Sequence, residues 1–86
     1  MKKMIGKIIE EPIEVENIIT ENKTIEMKAK TINKEFEFEI ITVVLPDMRK
    51  NKDTLFKRNN CIYAIGNFLT PNRFLLKKAK LLGNKR

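Results

Sequence analysis

The side chains of this chain that can do chemistry are mostly cations. Arg49, Lys50, Lys52, Lys57 and Arg58 lie in one stretch and Arg73, Lys77, Lys78 and Lys80 in another, with Tyr63 between them. Lysine and arginine neutralise phosphates, and a partly exposed tyrosine ring can stack on a base. Residues 1–46 carry seven lysines against nine glutamates, net −2, whereas residues 47–86 carry eleven basic residues against two aspartates, net +9. A half-chain this basic implies a polyanionic partner or an acidic protein surface, the alternative being a merely solvated face.

Absent residue types narrow the chemistry. There is no histidine, and so neither an imidazole general base nor an imidazole metal ligand. Cys61 is the single cysteine, which rules out an internal disulfide and a structural zinc site within one chain. The glycine patterns of phosphate loops, dinucleotide folds and nucleophile elbows do not occur. By composition these absences leave only carboxylate-based catalysis open, and they predict a protein that is not an enzyme and takes no metal or cofactor. The lone thiol fits a reducing, cytoplasmic setting. No apolar h-region follows the basic start Met1–Gly6, and no run approaches the roughly 18 apolar residues of a membrane helix, so neither signal peptide nor membrane partner is expected.

The elements that must position these residues read as strands. Eighty-six residues allow one domain, residues 1–86, whose apolar content is dominated by Ile and Val over Ala. A first extended run, Lys3–Val15, contains Gly6 and also Pro12, which belongs at an edge or a bulge. Glu16–Lys23 reads as a loop. From Thr24 to about Thr42 the alternation predicts a hairpin with a two-residue turn at Asn33–Lys34. That turn sets Lys30 opposite Glu37, Lys28 opposite Glu39, Ala29 opposite Phe38 and Met27 opposite Ile40. One face becomes a ladder of opposite charges and the other an apolar face. On this register core is the better reading of Phe36 and Phe38, with base stacking left open as the alternative.

Ile40–Leu45 is continuously apolar, which means burial on both sides or a bulge. Pro46 ends the strand, and residues 47–58 form a polar connection with Met48, Leu55 and Phe56 as its apolar contacts. It can hold a short helix capped by Asp47 or Asp53. After the turn Asn59–Asn60 come a fourth strand, Cys61–Leu69, a compact turn, Thr70–Arg73, a fifth strand, Phe74–Leu82, and a basic tail, residues 83–86. The expected interior comprises Phe38, Ile40, Ile62, Ala64 and Phe68. Tyr63 lies on the other side of its strand from Ile62 and Ala64. It is either a stacking platform or packed under the 47–58 connection or in a subunit interface. Gly66 is expected to permit close backbone approach or barrel curvature, and Cys61 to be a small buried or interface residue.

Five strands with one connecting segment between the third and fourth is the order of the OB barrel. Three stretches resemble the bacterial single-stranded DNA-binding proteins and their relative, primosomal replication protein N (PriB). Gly6-Lys7-Ile8-Ile9-Glu10-Glu11-Pro12-Ile13-Glu14 is similar to the family's first strand, Thr42-Val43-Val44-Leu45 to its third, and Ile62-Tyr63-Ala64-Ile65-Gly66-Asn67-Phe68-Leu69 to its fourth. The resemblance implies an all-β, non-catalytic five-stranded OB barrel that holds single-stranded DNA and pairs through its first strand into a homodimer or larger homo-oligomer. It further implies a role in DNA replication or primosome assembly, with replication proteins as partners. Three departures stand out: there is no tryptophan, the Thr70–Arg73 loop is very short, and the last residues are Lys85–Arg86 where the family carries an acidic tail. A minimal barrel serving a primosome, plasmid or mobile element is therefore expected. The nucleic-acid contacts expected are Tyr63, Arg73, Lys77, Lys78, Lys80, Arg49, Lys50, Lys52, Lys57 and Arg58. Two other functions stay open: an adaptor docking an acidic partner segment, and an RNA-binding module.

Overall fold

The computed structural model describes residues 1–16, 23–32, 35–46 and 55–84. Most of these lie in five strands: β1 (Lys2–Glu16), β2 (Lys23–Ile32), β3 (Phe38–Leu45), β4 (Asn60–Thr70) and β5 (Arg73–Asn84). They form a closed barrel in the order β1-β2-β3-β5-β4. Every pairing is antiparallel except the short one between β3 and β5, Thr42–Val44 against Arg73–Leu75. This is the all-β OB arrangement expected from the sequence. The segment expected to hold a short helix falls largely in residues 47–54, outside the described residues, and Pro46 does end β3, in a bend.

Five strands close the barrel because β1 serves two neighbours. Its first half pairs with β4, from Lys2 opposite Gly66 to Lys7 opposite Cys61, and with β2 from Lys7 onward. Among the described residues, Glu10–Glu16 then continue on β2 alone. The ladder with β2 is interrupted between Ile8 and Glu10 and again between Glu10 and Ile13. Pro12, which has no N–H to donate, stands in the second interruption, as expected of an edge or bulge proline.

Alternate residues of each strand point inward. Met4 and Ile8 of β1 meet Ile25, Met27 and Ala29 of β2, Ile41, Val43 and Leu45 of β3, Ile62 and Ala64 of β4, and Phe74 and Leu76 of β5. Phe56, just before β4, is fully buried in the same cluster, with Leu55 packed beside it. The connection is tied down by backbone bonds: Asn59 N donates to Ile8 O at 2.8 Å and Asn60 N to Lys57 O at 3.0 Å. Asn60 is buried, and its Nδ2 donates to Leu55 O at 3.1 Å, so the polar group is satisfied where the connection enters β4. Gly66 has the close approach expected of it. A Cβ there would overlap the Leu75 carbonyl oxygen, at the point where the β4–β5 register shifts between Ile65 and Gly66.

Three sequence expectations are corrected. The β2–β3 hairpin closes through residues 33–37 rather than a two-residue turn, and its register sets Lys28 opposite Thr42, Lys30 opposite Ile40 and Ile32 opposite Phe38. The expected ladder of Lys30 on Glu37 and Lys28 on Glu39 does not form. Phe38 and Ile40 are consequently outside, 66% and 57% exposed, and Ile41, Val43 and Leu45 take the interior. The reason lies in Thr42. Turning Phe38 and Ile40 inward would turn Thr42 inward too, leaving a hydroxyl in the apolar core. In the observed phase that hydroxyl accepts a hydrogen bond from Lys28 Nζ at 2.8 Å.

Phe68 is the third interior residue to be corrected. It faces Phe74 across β4–β5, with ring centroids 4.9 Å apart and edge-on, but β4 has run past the barrel end there and the ring is 42% exposed. Ile62 and Ala64 are buried as expected. The fifth strand also runs longer than its pattern predicts, to Asn84, so Gly83 and Asn84 belong to the sheet rather than to a basic tail.

Candidate functional site

The outer face of β1, β2 and β4 and of the start of β3 carries the arrangement best suited to a ligand. Residues opposite one another in an antiparallel pair share a face, so the registers define its rows. Lys80 of β5 stands beside Tyr63 of β4, and Tyr63 beside Ile5 of β1. One row along, Lys78 lies beside Ile65 and Ile65 beside Lys3. On the other side Cys61, Lys7, Lys30 and Ile40 follow one another across β4, β1, β2 and β3. Ile32 and Phe38 complete the face at the ends of β2 and β3. The Thr31 hydroxyl donates to Ile5 O at 2.6 Å, holding the end of β2 against β1 at this level.

Five lysines therefore alternate with aromatic and branched apolar side chains. Lys30 Nζ lies 4.2 Å from the centroid of the Phe38 ring, a cation–π contact that holds a charge next to an exposed aromatic surface. A groove of about 960 Å³ follows the face, with Lys3, Lys7, Ile5, Lys30, Ile32, Phe38 and Tyr63 among its walls, and reaches Phe68 and Pro71 at the β4–β5 turn. One carboxylate, Glu39, also lines it. Phe38 and Tyr63 stand at its two sides, three strand spacings apart, or roughly 14 Å at about 4.8 Å per strand. Phe36, in the β2–β3 connection, is 90% exposed, and its φ of 60° puts a bulky residue in the left-handed region, which such a side chain enters at a cost, so the expectation that it belongs to the core is corrected.

The residues expected from the sequence to meet nucleic acid do not all come together. Tyr63, Lys78 and Lys80 come together on this face. Lys77 is the extra residue of the β5 bulge, exposed and without a partner in the β4 register. Arg73 is engaged: its Nη2 lies 3.0 Å from Glu26 Oε2. Arg58 belongs to a different groove of about 620 Å³, walled by Glu10, Glu11, Ile13 and Glu26. There its Nε donates to Ile9 O at 3.1 Å and its backbone N to Glu11 Oε1 at 3.4 Å, bracing the connection against β1. Lys57 is exposed on that connection. Arg49, Lys50 and Lys52 lie outside the described residues.

Sequence reasoning missed Lys3, Lys7, Lys30 and Phe38. The lysines sit in the half of the chain with net negative charge, and charge summed along the sequence hides them. Folding separates them from their glutamates, because Lys3 and Lys7 leave on the β4 side of β1 while Glu10, Glu11, Glu14 and Glu16 follow on its other half.

The fold recurs in known structures. Two crystal structures of Rim1, a mitochondrial single-stranded DNA-binding protein of S. cerevisiae, superpose on this chain with TM-scores of 0.74 and 0.71. Sequence identity is 12% in both, and the alignments cover 98% and 99% of this chain and 94% and 95% of theirs. No family model and no curated protein matches the sequence. The likeness is one of fold: the barrel is the OB barrel of which these single-stranded DNA-binding proteins are examples.

Proposed function

We propose that this protein is a non-catalytic single-strand-binding OB barrel that lays DNA across the outer face of β5, β4, β1, β2 and the start of β3. The observation that carries this reading is the interleaving of Lys3, Lys7, Lys30, Lys78 and Lys80 with Tyr63 and Phe38 on one continuous sheet face. Lysines supply a sequence-independent attraction by releasing counterions from phosphates. Exposed rings supply stacking that any base can satisfy. Lysines and rings, which dominate the face, satisfy any base or phosphate alike, so sequence preference is weak. The fold it shares with Rim1 supports the same ligand class.

A place in replication or primosome assembly is part of this proposal, as is association of identical subunits. For the latter the second half of β1 is the available edge: Glu10–Glu16 pair only with β2 among the described residues, and Ile13 is exposed on it. Such an interface leaves the lysine face free.

The test is anisotropy titration of labelled oligo-dT, oligo-U and a duplex at several salt concentrations, with molar mass measured alongside. If all five lysines meet phosphates, log affinity falls with log salt at a slope of roughly −3.5, and at about −2 if three do. The duplex binds more weakly than either single strand because its paired bases cannot reach the rings. No binding at low salt, or equal affinity for duplex and single strand, refutes the proposal and leaves docking of an acidic protein segment as the reading to pursue.

A further inference from the structure

The Arg73–Glu26 pair lies beyond the groove of the lysine face, where the outer surface of β2 and β3 continues toward β5 and where Glu26 and Lys28 also wall the second groove. Successive outward residues of β2 are Lys30, Lys28 and Glu26, opposite Ile40, Thr42 and Val44 of β3. Arg73 is the register partner of Thr42 on the far side of β3, immediately after the β4–β5 turn. Lys28 Nζ and the Arg73 guanidinium thus flank one β3 residue, and together they extend the row of cations that begins at Lys30 and Phe38. Arg73 is answered by Glu26, Nη2 to Oε2 at 3.0 Å. The Thr24 hydroxyl also reaches that carboxylate oxygen, at 3.4 Å. The arginine side chain is 41% exposed and the glutamate only 19%. The carboxylate is therefore tucked against the sheet while the guanidinium stays within reach of solvent.

We propose that Glu26 holds the phosphate position of Arg73 in the free protein, and so sets how tightly this end of the face binds nucleic acid. The inference rests on the single-strand-binding reading above and names a residue that limits it. A guanidinium fork binds carboxylate and phosphate with the same geometry, so the two anions compete for it. A phosphate arriving at Arg73 either displaces Glu26, leaving a partly covered carboxylate beside the sheet, or binds with that negative charge a few ångströms away. Both outcomes remove most of the gain. An arginine already neutralised by its own protein also releases no phosphate counterion, so it adds nothing to the salt dependence. The face binds, on this account, with its last cation switched off, which favours release and sliding over tight capture.

The experiment is a double-mutant cycle on oligo-dT affinity and its salt slope, using wild type, Glu26→Gln, Arg73→Gln and the double variant. Gln preserves the size of the side chain and can still accept a hydrogen bond from Arg73 through its carbonyl oxygen. Glu26→Gln is expected to tighten binding roughly three- to tenfold at low salt and to steepen the slope by about 0.7, the contribution of one more phosphate on a single strand. Arg73→Gln alone weakens binding modestly, because it leaves the Glu26 charge uncompensated, but leaves the salt slope unchanged, and in the Glu26→Gln background it abolishes the gain in both affinity and slope. Unfolding by urea is followed in parallel. Loss of the ion pair lowers stability slightly while affinity rises, whereas a purely structural Glu26 would lower both. Glu26→Ser gives the same test should the Gln variant fail to fold. Unchanged or weaker binding by Glu26→Gln overturns the inference, as does a gain that survives removal of Arg73. If wild type binds and Glu26→Gln matches it, only this inference falls. If neither binds oligo-dT, the single-strand-binding reading falls with it.

Discussion

Replacing Phe38 by alanine separates a surface that binds from a core that merely holds together. The ring is 66% exposed, so about one third is covered. A fully buried phenylalanine removes roughly 200 Å² from water, and a third of that is about 70 Å². At about 25 cal/mol per Å² the ceiling on lost stability is about 1.7 kcal/mol, with the unfolded chain's own burial lowering it further. The contact with Lys30 Nζ at 4.2 Å adds about 0.5–1 kcal/mol at an exposed site. Had Phe38 packed in the core, as its alternation with Glu37 and Glu39 suggests, the same change would cost about 3–5 kcal/mol. Binding should respond in the opposite proportion. Loss of one stacking ring is worth about 1–3 kcal/mol, or roughly a 5- to 150-fold weaker affinity. The salt slope should stay unchanged, because no phosphate contact is removed. Urea unfolding followed by far-ultraviolet circular dichroism gives the first number, and anisotropy titration with oligo-dT at two salt concentrations gives the second. A variant that loses 3 kcal/mol or more of stability yet binds like wild type, once folded, would show that the face has been misassigned.

Two further substitutions test how the barrel holds that face. Gly66→Ala should destabilise by about 1–3 kcal/mol or more, since its new methyl would overlap the Leu75 carbonyl oxygen, a backbone atom that cannot rotate away; a wild-type urea midpoint would contradict so close an approach of β4 and β5. Phe56→Ala should cost about 3–5 kcal/mol, a large part of the roughly 5–15 kcal/mol of a natural domain, because the ring is fully buried in the core cluster; a cooperative unfolding transition close to wild type would refute its role there.

Much of the barrel is legible along the chain. Alternation over Thr24–Ile32 places Ile25, Met27 and Ala29 on the inner face, and the same period over Asn60–Gly66 buries Ile62 and Ala64, because a pleated strand leaves no other arrangement. Turn residues mark the ends to within a residue: Pro46 after β3, Asn59 before β4, and Pro71–Asn72 between β4 and β5. Tyr63 and the lysines of the fifth strand are visible as a group because each departs from its neighbours in type. The register of the second hairpin is not visible in this way. Opposite charges at 28, 30, 37 and 39 make one pairing attractive, and an unbroken apolar run from Ile40 to Leu45 makes two phases possible.

By itself, then, the sequence determined that the chain builds a β barrel, that it brings no imidazole and only one thiol, and that its charge suits a polyanion. Those conclusions depend on composition and on period-two patterns, which act locally and survive any choice of pairing. Only the tertiary structure decided which phenylalanines line the core and which cations share a surface. Phe38 lies outside because Thr42, four residues on, must keep its hydroxyl out of the apolar interior. Lys3, Lys7 and Lys30, from the net-acidic half of the chain, join Lys78 and Lys80 because β1 is shared between β2 and β4. Arg73 is withdrawn from the exposed cations by Glu26, 47 positions away in sequence. Each of these outcomes depends on which strands become neighbours and in what register, and that is settled by the burial of the whole barrel rather than by any segment of it.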